Sequence, residues 1–249
     1  MSVAVIVNPA AGRGRRANRI AACRELLRRR IPDCVEYTTG APGDEAELTA
    51  RALAEGHAAI VAVGGDGTAS LVAHHILAAG RGEVRFGLLP TGTGNDFGKT
   101  LGARADRLEA IVTSIVEGHT RRVDVGRVEG RHFLNVFGAG FDIAVIDDAE
   151  RMPLLRGDAL YQFCALRQLF RFPGLPLEIA AEGEASHRID HLMLVIANAN
   201  YFGGSFHIAP EASLDDGLLD GAGEQAPLDL SGDEGRAVAR DRGGLGGLG

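Results

Sequence analysis

The residues best suited to chemistry sit where the apolar run Ala58-Ala59-Ile60-Val61-Ala62-Val63 stops at Gly64-Gly65-Asp66-Gly67-Thr68. Three glycines in four residues are expected to let the backbone take positive φ and bring bare main chain against a ligand. Phosphate suits such a turn. Its N–H groups point inward, and the following segment with Leu71, Val72, Ile76 and Leu77 would aim a helix N-terminus at the same anion. Asp66 is an acceptor that is tolerable beside phosphate only with a metal or its waters between them. A second unit of this kind follows about 25 residues later, where Phe86-Gly87-Leu88-Leu89 empties into Pro90-Thr91-Gly92-Thr93-Gly94-Asn95-Asp96-Phe97. One strand-to-glycine turn is common packing grammar in α/β proteins. Two, each with an aspartate, fit one nucleotide site at the carboxyl ends of neighbouring strands.

These two motifs together resemble the diacylglycerol kinase catalytic domain family, in particular its soluble bacterial lipid kinases. NAD kinases and phosphofructokinases share a similar first loop, and the second loop decides for the lipid kinases. The likeness runs from Asn8-Pro9-Ala10-Ala11-Gly12 to about Asp220. It implies an ATP- and Mg²⁺-dependent transfer of phosphate to a lipid hydroxyl, most often diacylglycerol. Gly64, Gly65, Asp66, Gly67, Thr68, Ala69 and Ser70, with Asn8, Thr39 and Thr93, would form the nucleotide site. Asp66, Asp96 and Asp124, the last within Arg122-Val123-Asp124-Val125-Gly126, would form a network with Mg²⁺ and water. In the segment from Leu214 to Asp220, Asp216 with the main-chain carbonyls of Ser213 and Leu218 would hold a structural Mg²⁺, and such oxygens around a glycine turn suit a hard cation. Without the family, that segment reads as an ordinary hairpin turn. Ser70-Leu71 departs from the family, where Asn-Glu is usual. The family's Asp-Gly-Glu motif, which carries its catalytic base, is not found in these 249 residues, and Gly232-Asp233-Glu234-Gly235 is a poor substitute. A nucleotide- or lipid-binding pseudokinase or truncated remnant is therefore the rival reading, and an NAD kinase-like enzyme a weaker third.

To position these groups the chain needs a parallel sheet covered on both faces. Val3 to Val7, Cys34 to Thr38, Ala58 to Val63 and Phe86 to Leu89 read as strands. Between them, Ile20, Cys23, Leu27 and Ile31, and then Leu48, Ala52 and Leu53, fall on helical faces. This alternation predicts an α/β domain over residues 1–120, Rossmann-like as in NAD kinase and diacylglycerol kinase. A helix from about Asp106 to Glu117 closes it. Val123 to Val128, His132 to Phe137, Leu177 to Ala181 and Leu192 to Ala197 then predict a mainly antiparallel β domain over residues 121–220, incomplete here. The stretch Arg151 to Pro173 is basic and apolar, suited either to cover that domain or to meet lipid. Residues 221–249 are rich in glycine, lack aromatics and carry no apolar period, so a tail without regular structure is expected, from a truncated or frame-shifted reading.

Composition sets the remaining bounds. An apolar content of 45% with 24% charged residues is that of a globular protein, and a net charge of −7 argues against general nucleic-acid binding. The first 31 residues are the exception, with eight arginines against Glu25 alone. They read as a solvated helix face or as a surface for phosphates or anionic membrane. Cys23, Cys34 and Cys164 are odd in number and widely spaced, which predicts free thiols. His74-His75 lacks metal spacing. No signal peptide or membrane-length run is found, so a cytoplasmic protein is expected, peripheral at the inner membrane face. A homodimer is the expectation left open.

Overall fold

The computed structural model describes residues 2–14, 17–151, 163–164, 167–168, 171–179, 187–204, 206–225, 236–239 and 244–247. They fall into two compact units: Met1–Asn135 with Asn198–Leu218 and Asp241–Gly249, and Val136–Ala197 with Leu219–Arg240.

In the first unit, strands β1 (Val3–Val7), β2 (Val35–Thr38), β3 (Ala59–Gly64) and β4 (Arg85–Pro90) pair in parallel in the order β2-β1-β3-β4. Helices α1 (Ala17–Arg30), α2 (Asp44–Ala54), α3 (Asp66–Ala78), α4 (Asp96–Thr100) and α5 (Leu108–Glu117) accompany them. The central strands β1 and β3 are apolar without alternation because both faces are covered, whereas the edge strand β2 buries only Tyr37. Val3, Val5, Val7, Val61 and Val63 pack with Ile20, Cys23 and Leu27 of α1 and Ile111, Val112 and Ile115 of α5. Ala4, Ile6, Ile60 and Ala62 pack with Ala52 and Leu53 of α2 and Val72, Ala73 and Ile76 of α3. The even and odd positions of one strand thus feed two cores. The unit also holds β5 (Arg121–Asp124), the hairpin of β6 (Gly126–Val128) and β7 (Arg131–Phe133), and the hairpin of β11 (Tyr201–Phe202) and β12 (Phe206–His207).

The second unit centres on β10 (His187–Ala197), paired antiparallel with β8 (Val136–Gly140), β9 (Leu175–Ile179) and β13 (Leu219–Gln225), which in turn pairs with β14 (Arg236–Ala239). A register shift interrupts β10 between His191 and Met193. Helix α6 (Phe141–Glu150) follows β8. The antiparallel character is as expected.

Three expectations are corrected. The divide falls after Asn135 and not near residue 120. Strands β5 to β7 belong with the first unit, where Asn198 Nδ2 donates to the carbonyls of Asp124 and Leu134 at 2.9 and 2.8 Å. The run His132 to Phe137 is two strands, broken at Leu134-Asn135. The tail is not without regular structure throughout: residues up to Gln225 continue β13, Arg236–Ala239 forms β14, and Gly244–Gly247 forms β15, antiparallel to β5 and joined to β4. Ladder bonds use main-chain groups, so glycines can complete a sheet where no apolar period announces a strand. The Gly232-Asp233-Glu234-Gly235 segment and most of Arg151 to Pro173 lie outside the described residues.

Candidate functional site

Strand β3 ends at Gly64, and α3 begins two residues later with Gly65 as its cap in extended conformation, φ −94° and ψ −170°. The expected positive φ is absent from Gly64, Gly65 and Gly67, a correction to the reading of that loop. Glycine is required for closeness instead. A Cβ on Gly64 would stand 2.5 Å from Thr68 Cβ, and one on Gly92 would stand 2.6 Å from Gly65 Cα. The two loops therefore touch backbone to backbone, a contact no side chain permits. Gly67 lies in the first turn of α3 with open space beside it.

The positive φ is carried by Asn95, at 53°, which caps α4. Asparagine tolerates that region because its short amide bonds locally. Here Asn95 Nδ2 donates to Gly92 O at 2.9 Å, closing the second loop on itself. The main chain of this loop then reaches the first: Asn95 N donates to Asp66 Oδ2 at 2.7 Å and Phe97 N to Asp66 Oδ1 at 3.4 Å. Asp66 is thus the clasp between the loops. Burial and the nearby Asp96 charge push its pKa above the usual carboxylate range, while the N–H donors oppose that shift. Asp96 is buried and fully engaged, with Lys99 Nζ at 2.9 Å from Oδ1 and Gly204 N at 2.9 Å from Oδ2.

Asn8 leaves β1 at the same edge of the sheet. Its main-chain N donates to Val63 O at 3.0 Å, and its Nδ2 donates to Thr68 Oγ1 at 3.0 Å and Glu45 Oε1 at 3.3 Å. Thr39, just past β2, donates its main-chain N to Val7 O at 2.9 Å and is buried. Asn8, Thr39, Thr68 and the glycines thus meet at the carboxyl ends of β1, β2 and β3, where parallel sheets hold ligands. Ala69 is buried in the core and Ser70 half-buried on α3, so each offers the site main chain more than side chain. Thr93 is exposed in the second loop, on a cleft of about 690 Å³ also lined by Arg19, Gly94, Lys99, Arg104 and Tyr201.

Asp124 stands in a different network. At the end of β5 its N donates to Leu214 O at 2.5 Å and its Oδ2 accepts from Gly217 N at 2.6 Å. It thereby pins the turn that carries Ser213, Asp216 and Leu218. Among the described residues no hydrogen bond joins this network to Asp66 or Asp96. Asp216 is exposed, with Oδ1 accepting from Leu218 N at 2.9 Å. Ser213 Oγ donates to Asp215 Oδ1 at 2.8 Å. The donor set there is oxygen only, which fits a hard cation in kind. Among the described residues no group of three or more His, Cys, Asp or Glu side chains has metal-holding spacing.

Glu45 and Lys99 had no assigned role in the sequence. Glu45 looks like one of several acids at a helix start, yet it is 3% exposed, accepts from Asn8 and leaves Oε2 without a partner. Lys99 is the chain's single lysine, a signal that could have marked it.

Two family models match the chain: the diacylglycerol kinase catalytic domain over residues 2–128 and the YegS C-terminal NAD kinase beta sandwich-like domain over residues 135–222. A diacylglycerol kinase of Mycobacterium tuberculosis is 32% identical over 223 residues, covering 88% of this chain and 71% of that one. A protein of Pseudomonas aeruginosa named "Probable lipid kinase YegS-like" is 35% identical over 219 residues, covering 86% and 68%. Among solved structures, a diacylglycerol kinase from Bacillus anthracis str. Sterne superposes with a TM-score of 0.70 at 28% identity, covering 91% of this chain and 74% of that one.

Proposed function

The chain belongs to the diacylglycerol kinase catalytic domain family, and on that premise we propose that it is an ATP-dependent lipid kinase transferring the γ-phosphoryl group to a hydroxyl of diacylglycerol. The observation that supports this most is the backbone contact of Gly65 with Gly92, which brings two glycine turns together at the start of α3. Transfer from a triphosphate needs positioning and charge neutralisation more than covalent chemistry. The N-terminal N–H groups of α3 supply fixed positive ends for the phosphates. Asn8 and Thr39 border them from the neighbouring strands, and Thr93 from the second loop. Mg²⁺, when bound, would neutralise the phosphate oxygens. Asp66, in the first turn of α3, would be the carboxylate to hold it, and Ser213, Asp216 and Leu218 would hold a separate structural ion.

In the reaction the terminal P–O bond to ADP breaks, the lipid oxygen bonds to phosphorus, and a base takes the hydroxyl proton. A positioned base contributes roughly 10²–10⁴-fold. Because no Asp-Gly-Glu sequence occurs in residues 1–249, a second reading is nucleotide and lipid binding without efficient transfer. The enzyme works peripherally at the cytoplasmic membrane face in this proposal. Among the described residues no helix is long and apolar enough to cross a membrane.

Labelled ATP and Mg²⁺, offered to the purified chain with a panel of lipids and with NAD, test this. Label is expected in phosphatidic acid, at a rate well below that of a chain carrying the Asp-Gly-Glu segment. Label in NAD alone would overturn the lipid assignment. ATP binding with no transfer to any lipid would leave only the second reading.

A further inference from the structure

Three carboxylates open α2, and they are used differently. Asp44 Oδ2 accepts from the main-chain N of Gly40 and of Ala41 at 2.7 and 2.8 Å, and Glu47 is exposed. Glu45 turns inward, 3% exposed, and among the described residues its Oε2 has no bonding partner. Burying a charged oxygen without a donor opposes folding, so this carboxylate calls for a reason other than stability.

The reason lies in the bond that its other oxygen makes. Glu45 Oε1 accepts from Asn8 Nδ2 at 3.3 Å, and the same Nδ2 donates to Thr68 Oγ1 at 3.0 Å. At its other end the Asn8 amide is engaged too, with Oδ1 accepting from Ala10 N at 2.9 Å. An amide turned over would set its oxygen against the carboxylate and its NH₂ against the Ala10 N–H. One orientation therefore satisfies both neighbours, and the carboxylate enforces it because an ionised Glu accepts and cannot donate. Thr68 Oγ1 must then be the acceptor in its bond with Asn8. Its own proton is left over, and among the described residues no hydrogen bond takes it up.

The hydroxyl that carries this proton is held at the phosphate end of the sheet. Thr68 lies in the first turn of α3 and is 5% exposed, with Oγ1 where a Cβ on Gly64 would come within 2.6 Å of it. Asn8 after β1 and bare Gly64 at the end of β3 thus fix it from two sides. The unpaired N–H groups that open α3 lie in the same turn.

We propose that Glu45 is a positioning residue for phosphate: its carboxylate locks the Asn8 amide, Asn8 makes Thr68 Oγ1 an acceptor, and the Thr68 hydroxyl proton is thereby kept for a phosphate oxygen at the start of α3. This rests on the reading of the first glycine loop as a phosphate site and assigns a part in it to a helix outside both loops. A buried charge is retained because it sets the polarity of a hydrogen-bond chain, which a neutral side chain able to turn either way would leave undecided.

Glu45→Leu, Glu45→Gln and Thr68→Val, titrated calorimetrically with Mg·ATP and with Mg·tripolyphosphate, test the arrangement. Glu45→Leu should weaken binding of both by about tenfold, the scale of one hydrogen bond to a charged group. It should melt no lower than the parent, because it removes a buried charge. Glu45→Gln, whose carbonyl can still accept from Asn8, should recover most of the affinity. In a Thr68→Val background Glu45→Leu should change affinity no further, since the proton that it positions is gone. Equal affinity of Glu45→Leu and the parent for both probes would overturn the proposal and leave the phosphate site in place. A full additional loss in the Thr68→Val background, or a Glu45→Leu chain melting well below the parent, would also overturn it, the second being the mark of a purely structural carboxylate. If the parent binds tripolyphosphate and not Mg·ATP, the same pattern among the variants upholds Glu45 and counts only against the nucleotide reading. A parent that binds neither probe overturns both.

Discussion

Asp66 joins two requirements that pull against each other. Its carboxylate clasps the N–H groups of Asn95 and Phe97 most strongly when ionised, as the proposed Mg²⁺ role also requires, yet burial and the Asp96 charge favour its protonated form. Its folded pKa therefore lies above the unfolded value, so the folded chain keeps the proton to higher pH. The contribution of this group to stability is greatest in acid and declines as pH rises from about 4, the unfolded value, through the raised folded one. Asp66→Asn removes that titration and the repulsion with Asp96. Thermal melting across this range should show a flatter pH profile for the variant than for the parent. Parallel profiles would mean that Asp66 is not the group under strain. Asp66 and Asp96 are legible in the sequence because each lies in a glycine-rich loop after an apolar strand, whereas Asp124 is reached only through the family resemblance. That Asp96 is spent on Lys99 and Gly204 is not legible, since both bonds depend on tertiary approach.

At the scale of elements, the sheet was readable because fully apolar runs of strand length admit few other places. Helix α4 and the β6–β7 hairpin were not, being too short to carry a period. The glycine motif reads in the sequence as positive φ and as main chain bared to a ligand; in the structure the φ values are not positive, and the closeness the glycines serve is that of one loop to the other. The distinction has a measurable consequence. Gly92→Ala forces a Cβ against Gly65 main chain and should cost about 1–3 kcal/mol, the range for overpacking. Gly67→Ala adds a methyl to open helical space and should be neutral or stabilising by up to about 1 kcal/mol. Denaturant titration of both variants checks the contrast, and equal effects would show that the loops do not pack as described.

Across the whole chain, sequence reasoning failed where main chain alone makes the structure. Strand β15 is Gly244-Leu245-Gly246-Gly247, which no hydrophobic pattern reveals. The family resemblance reached further than periodicity, grouping Asn8, Thr39 and Thr68 from motifs scattered over sixty residues of sequence, and the structure brings the three to one sheet edge. What unites these parts is a claim about phosphate: the two loops, clasped by Asp66, bind the nucleotide as its Mg²⁺ complex. Calorimetric titration of Mg·ATP into the parent chain and Asp66→Asn addresses it directly. The account predicts saturable, Mg²⁺-dependent binding to the parent, weakened at least about tenfold in the variant by loss of a charged contact, while both melt cooperatively. Absence of binding by the parent chain, or equal affinity in the two, would contradict it.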